Sequence, residues 1–178
     1  VTRLPLAVDM DGTLLTCDVL YTGMAKLART QPWALADAYG RLVFGRPAFK
    51  AAIAERAKLA IDRLPVRDDF LAYLHREKAA GRMLALATAA DSDTARKVAA
   101  RFALFDLILT SHGRVNLKGP RKAEALAARF PEGFVYAGDS LADLAVWRVA
   151  KAAIVCGTRH DVRAALDRLA SPIEASFE

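Results

Sequence analysis

A chain of 178 residues, 54% of them hydrophobic and 26% charged, can bury a substantial core and has the balance of a folded globular protein, not a disordered one. No apolar run approaches the roughly 20 residues that a bilayer-crossing helix needs, so no transmembrane segment is expected. The net charge of +6 admits nucleic acid, an anionic membrane or a phosphorylated substrate as a partner. No arginine–lysine block with interleaved aromatics is present, so nucleic acid is set aside and a solvated basic surface is the preferred account.

Residues 4–8 are a short apolar run closed by a polar turn, which predicts a buried strand of a parallel sheet. Asp9 and Asp11 follow at its carboxyl end, the edge where open α/β sheets bind ligands. Gly12 then allows a sharp turn and a close backbone approach to a bound group. Two aspartates converging there repel each other and call for a cation, most simply Mg²⁺ with its oxygen ligands. A calcium loop does not fit, because Thr13 and Leu14 stand at the fifth and sixth positions and the glycine at the fourth. An ordinary Asp-Gly turn would not need Asp9.

The following stretch has no strand-like segment. Residues 19–29, 33–44 and 49–64 carry apolar side chains at helical spacing, with Pro32 and Pro47 near helix starts and Gly45 as a stop. Pro65 separates them from a further helix at 67–80, closed by Gly81. Residues 17–80 therefore predict a small all-helical cap inserted after the first strand and able to cover a pocket. Trp33, Tyr39, Phe44 and Phe49 are aromatic cap residues that could line a pocket. Packing between cap helices is the preferred account of them, with an apolar pocket lining as the alternative.

From Arg82 onward the pattern alternates. Strands are predicted at 83–87, 105–109, 134–137 and 152–155, and helices at 92–102, 120–130, 141–149 and 161–169, the first with Asp91 as its N-cap. Such alternation means right-handed crossovers and a doubly wound parallel sheet, an α/β core of residues 1–16 and 81–178.

Polar residues stand at four of the predicted strand or helix ends. Thr88 follows the second strand, where its hydroxyl and the backbone N–H groups of Ala89 and Ala90 would hold an anionic oxygen; a turn role is the plain alternative. With Gly119 as a cap and Pro120 in the first helical position, Lys122 falls in a first turn. A cation there opposes the helix macrodipole, which suggests a task such as neutralising a phosphate or the carboxylates; Lys118 is the alternative lysine. Asp139 emerges from a strand end, placed to complete an oxygen site for the metal. Asp143 could serve that site or pair with Ser140 in a capping box, and the two roles are compatible.

Asp9-Met-Asp11-Gly-Thr-Leu, Thr88 after an apolar strand, Lys122, and Gly138-Asp139-Ser-Leu-Ala-Asp143 resemble the four signature motifs of the haloacid dehalogenase-like (HAD) hydrolases, in the family's order and across essentially the whole chain. The resemblance implies a Rossmann-like core and a Mg²⁺-dependent phosphatase. Asp9 would be the nucleophile, Asp11 the general acid and base, and Thr88 and Lys122 the groups that orient and neutralise the phosphate. It further implies that the metal is held by the Asp9 carboxylate, the Asp11 backbone carbonyl and Asp139, with Asp143 supporting through water. The insert resembles the caps of the phosphoserine-phosphatase-like branch, which would make Asp18 a substrate-facing acid.

The segments NLKGPRKAEAL and YAGDSLADLAVWR resemble HAD domains fused ahead of membrane prenyltransferases of the ubiquinone-biosynthesis type. A fused or associated prenyltransferase and a prenyl- or sugar-linked phosphate are then implied as partner and substrate. A start on valine agrees with a piece of something longer. The two cysteines, Cys17 and Cys156, have no metal or redox spacing, and a cytoplasmic setting is expected.

Phosphomutase or phosphotransferase chemistry uses the same residues and stays open. A phosphate-binding regulatory domain of the receiver type is disfavoured, because its phosphorylated aspartate follows the third strand. Here residues 105–109 run into Thr110 and Ser111.

Overall fold

The computed structural model describes residues 3–111, 115–157 and 160–178. Strand β1 (Leu6–Val8) leads into four helices, α1 (Val19–Thr30), α2 (Pro32–Gly40), α3 (Arg46–Ala57) and α4 (Asp68–Ala79). Then follow β2 (Leu84–Asp91), α5 (Ser92–Phe102), β3 (Leu107–Ser111), α6 (Pro120–Arg129) and β4 (Val135–Gly138). A 3-10 turn at Leu141–Asp143 enters the short α7 (Leu144–Trp147), and β5 (Ala152–Cys156), α8 (His160–Leu169) and β6 (Ile173–Phe177) complete the chain.

The strands form one sheet in the order β3-β2-β1-β4-β5-β6, and every pair is parallel. Leu6 stands opposite Leu84 on one side and Val135 on the other, so β1 is central and fully covered. The chain winds outward from β1 to β3 and then crosses back to β4. The carboxyl ends of β1 and β4 therefore flank the point where winding direction reverses, which is where such sheets open a crevice.

Alternation along the strands sorts the core into two layers. Leu6, Val8, Leu84 and Leu86 face Phe70 and Leu74 of α4 and Ala95 and Val98 of α5. Ala7, Ala85 and Tyr136 face Leu126 of α6, Trp147 of α7 and Val162 and Leu166 of α8. A third cluster, with Leu27, Ala38, Phe49, Ile53 and Ala57, lies within α1–α3. Gly23 makes that packing close, since a Cβ there would stand 2.9 Å from Ile53 Cγ2. The insert after β1 thus has its own small core in α1–α3, while α4 lays its apolar stripe on the sheet.

The expected order of elements is present, with shifted ends. The helix expected at 33–44 stops at Gly40 and continues as a 3-10 turn, Arg41–Phe44, between Gly40 and Gly45. The helix expected at 49–64 begins earlier and ends at Ala57, where Lys58 takes a left-handed conformation (φ 43°). Of the four aromatics Trp33, Tyr39, Phe44 and Phe49, packing between cap helices accounts for Phe49, which is buried, and for Tyr39, whose half-exposed ring lies 5.1 Å from that of Phe49; Trp33 and Phe44 are exposed. Strand β2 runs on through Thr88 to Asp91, whose carboxylate caps α5 as expected.

Strand β6 lay outside the sequence expectations. Its residues are half exposed and follow Pro172, so they lack the apolar run that marks the interior strands. Tertiary contacts hold it. Phe177 packs against the rings of Phe70 and Tyr73 at 5.1 and 5.2 Å. The buried Arg82 guanidinium donates to Glu174 at 2.6 and 3.2 Å, to Glu77 at 2.8 Å and to the Leu4 carbonyl at 2.8 Å.

Burial raises the Glu174 carboxyl, but hydrogen bonds from Arg82 and Tyr73 outweigh it and hold its pKa below the ordinary value. Stability from this contact is therefore present above the unfolded pKa and lost as pH falls through the lower folded one. Glu174→Gln is expected to be less stable than the wild type at neutral pH. Urea titrations should show the gap closing below about pH 4.

Candidate active site

The loop leaving β1 is held from several sides. The Asp9 amide donates to the Ala137 carbonyl at 3.0 Å, tying the end of β1 to β4. Arg67, ahead of α4, donates to the carbonyls of Gly12 (3.1 Å) and Thr13 (3.3 Å). Gly12 has φ +78°, and a Cβ there would lie 2.2 Å from Asp139 Oδ2. Only glycine lets the Asp139 carboxylate settle over this turn.

Asp9, Asp139 and Asp143 bring carboxylate oxygens within 4.8 Å of one another. Burial is the main reason that the Asp9 carboxyl is raised above its ordinary pKa; Lys122 opposes the rise and Asp143 adds to it. Asp139 is pushed up to about 7 by burial and then by Asp143 and Asp9. Three carboxylates brought together in a half-buried space repel one another, and such a set of hard oxygen donors suits a divalent cation. The group fits a metal site of the kind expected from the sequence.

Lys122 is the lysine that reaches this group. Its Nζ donates to Asp9 Oδ1 at 2.8 Å and to the Tyr136 hydroxyl at 3.0 Å, and the side chain is buried. Lys118 is exposed on the cavity wall. The Tyr136 hydroxyl donates in turn to Asp143 Oδ1 at 2.7 Å. Asp143 Oδ2 accepts from the Ser140 amide (3.1 Å), the Ser140 hydroxyl (2.9 Å) and the Asp139 amide (3.3 Å). Asp143 therefore orders the turn that presents Asp139.

The Asp11 carboxylate points elsewhere. Its Oδ1 accepts the Val19 amide at 2.7 Å, at the start of α1, and the carboxylate is not among the three that converge. Burial lifts its carboxyl to about 7, against the effect of that hydrogen bond. A carboxyl with that pKa can both donate and accept a proton near neutrality. Asp18 is the N-cap of α1, accepting from the Tyr21 amide at 3.0 Å, and it also lines the cavity.

Thr88 is fully buried, and its hydroxyl accepts the Ala90 amide at 3.0 Å. The strand continues through this position, so Thr88 sits beneath the turn while Ala89 and Ala90 line the cavity. The Ala90 N–H, expected to point at an anion, is occupied by Thr88 in this geometry.

The cavity has a volume of about 1530 Å³ and extends from Asp9 and Asp139 out between the cap and the core. Lys50 of α3 crosses it. Its Nζ donates to the Ala89 carbonyl at 2.8 Å and to Asn116 Oδ1 at 3.2 Å. Burial, with the nearby Lys118 charge, lowers its pKa. Lys50 and Tyr136 were not singled out from the sequence. Lys50 looks like any solvated helix lysine until the cap folds over the sheet. Tyr136 offered a weak signal, a phenol inside an otherwise apolar strand whose hydroxyl must find a partner when buried.

No protein-family model matches this sequence. The fold is that of the HAD-type hydrolases. A HAD family hydrolase of Salmonella enterica superposes with a TM-score of 0.62 at 22% identity, over 96% of this chain and 68% of that one. A phospho-aspartyl intermediate analogue of phosphoserine phosphatase superposes with a TM-score of 0.66 at 14% identity, covering 100% of this chain and 94% of that one. In sequence, the chain is 39% identical over 155 residues to the uncharacterized protein y4nM of Sinorhizobium fredii. The match covers 87% of this chain and 30% of that protein, so the chain spans about a third of its relative's length.

Tyr136 bridges a buried cation and a buried carboxylate. Tyr136→Phe strands one oxygen of Asp143 and is expected to lower the unfolding free energy by about 1.5–3 kcal/mol, read by urea titration. A double-mutant cycle with Asp143→Asn should show the two losses to be strongly non-additive.

Proposed function

We propose that the chain is a Mg²⁺-dependent phosphatase that hydrolyses a small phosphomonoester through a phosphorylated Asp9. The observation that carries this reading is the Asp9–Lys122 ion pair set beside Asp139 in the crevice between β1 and β4. The fold shared with a phospho-aspartyl intermediate analogue of phosphoserine phosphatase supports it.

Asp9, Asp139 and the Asp11 carbonyl would hold the metal, with Asp143 in support. When bound, the ion would offset the charge between carboxylate and phosphate oxygens. Lys122 favours the anionic form of Asp9 against the effect of burial and lends a second positive charge to the same place. In the first half-reaction an Asp9 oxygen forms a bond to phosphorus as the ester P–O bond breaks, and Asp11 gives its proton to the departing oxygen. In the second, water attacks phosphorus while Asp11 takes up the water's proton. The Asp9–phosphorus bond breaks and phosphate leaves. The Asp11 pKa of about 7 serves both transfers, and its hydrogen bond to Val19 links the acid to the first turn of the cap. Thr88 fixes the turn of Ala89 and Ala90, which line the cavity that the phosphate would enter.

Lys50, and Lys118 on the facing wall, give the cavity positive charge beyond what one phosphate requires. An ester with a further anionic or strongly polar group suits them. The resemblance to HAD domains joined to membrane prenyltransferases supports a prenyl- or sugar-linked phosphate, and a prenyltransferase as partner.

Hydrolysis of p-nitrophenyl phosphate with Mg²⁺ tests the reading directly. Turnover is expected to vanish with EDTA and to fall by at least about a thousandfold in Asp9→Asn. Metal-independent turnover, or full activity in Asp9→Asn, would sink it. Once a natural ester is found by screening phosphometabolites, Lys50→Ala is expected to raise KM about tenfold with a smaller change in kcat.

A further inference from the structure

The cap leaves apolar side chains in water where folding alone gains nothing. Between Gly40 and Gly45 the 3-10 turn exposes Leu42, Val43 and Phe44, with Val43 81% and Phe44 62% accessible, and Tyr39 is exposed one turn earlier. Trp33, 70% accessible, stands at the other end of the same helix. Contiguous exposed apolar residues on a folded domain mark an interaction surface.

The charge around this turn selects among partners. Arg41 and Arg46 are exposed on either side of it, and no carboxylate lies within ion-pair distance of them among the described residues. The nearby acids Asp37 and Glu55 are both paired with Arg56. The turn therefore presents aromatic and aliphatic side chains between two uncompensated arginines. A second copy docked about a two-fold axis would set these arginines against their equivalents with no free acid to answer them. An anionic bilayer answers both features: its headgroups neutralise the arginines while Val43, Phe44 and the aromatics enter the interface.

We propose that the cap turn Arg41–Phe44, with Tyr39 and Arg46, is a docking surface for an anionic phospholipid membrane. Leu42 and Arg46 also line the cavity that leads to Asp9, so docking sets the cavity's cap side against the lipid surface. Val43 and Phe44 lie outside the lining of that cavity.

Co-sedimentation tests it, using vesicles of phosphatidylcholine alone or mixed with phosphatidylglycerol, with the wild-type chain and with Asp9→Asn. Both proteins are expected to bind the anionic vesicles at least about tenfold more tightly than the neutral ones, with the excess lost at high salt. The double variant Val43→Asp/Phe44→Asp should lose vesicle binding while keeping the wild-type melting temperature and p-nitrophenyl phosphate turnover. Arg41→Gln should reduce the preference for anionic vesicles. Absence of binding, equal binding of both vesicles, or binding retained by the double variant would overturn the proposal. So would a concentration-dependent dimer in sedimentation velocity that the double variant abolishes, since that assigns the surface to a second copy. Because Asp9→Asn is assayed alongside, failure of docking and failure of the phosphatase reading are separate results.

Discussion

Repulsion among Asp9, Asp139 and Asp143 is the constraint on which the site depends. Two neighbouring parallel strands deliver these carboxylates to the same edge, and the sheet beneath removes much of the water that would screen them. The structure answers with a buried chain of partners. Lys122 bonds to Asp9 and Tyr136, and Tyr136 bonds to Asp143. One cation offsets part of the charge and leaves a net negative, oxygen-lined space. Such a space suits a divalent ion.

The same economy shapes the backbone around it. Asp139 can stand over the β1 loop because Gly12 has no side chain, and a Cβ at Gly138 would come within 2.8 Å of the Asp143 carboxyl carbon. Arg67 joins the loop to the element that returns the chain from the cap to the sheet. Asp11 meanwhile binds the first amide of α1, so the acid proposed to move protons is also the anchor of the cap's first helix. Cap and chemistry are mechanically linked at one residue.

The cap has a core of its own between α1 and α3, and this division explains two features at once. It lets Lys50 reach down to Ala89 and Asn116 across the cavity. It also leaves Val43 and Phe44, on the turn beyond α2, largely exposed. A domain built only to cover a pocket has no need of that outer surface, whereas one that meets an interface does.

Much was legible in the sequence because it is local. Apolar runs closed by polar turns mark β1, β2, β4 and β5, helical spacing marks the insert, and Asp91 and Pro120 mark helix starts. The order of the acids and Lys122 was visible for the same reason, since each sits just past a strand or in a first helical turn. What depends on residues far apart in the chain was not legible. Strand β6 exists because Glu174 meets Arg82 and Phe177 meets Phe70, contacts that no local pattern encodes. Thr88 turned inward because β2 continues past it, and Tyr136 joined Lys122 to Asp143 only once α6 lay against the sheet. By itself the sequence determined the α/β alternation, the insert and the acidic strand ends, because periodicity and turn chemistry act over a few residues. Tertiary structure alone decided which lysine meets Asp9, where Asp11 points and which cap aromatics stay exposed, because burial and pairing are properties of the assembled surfaces.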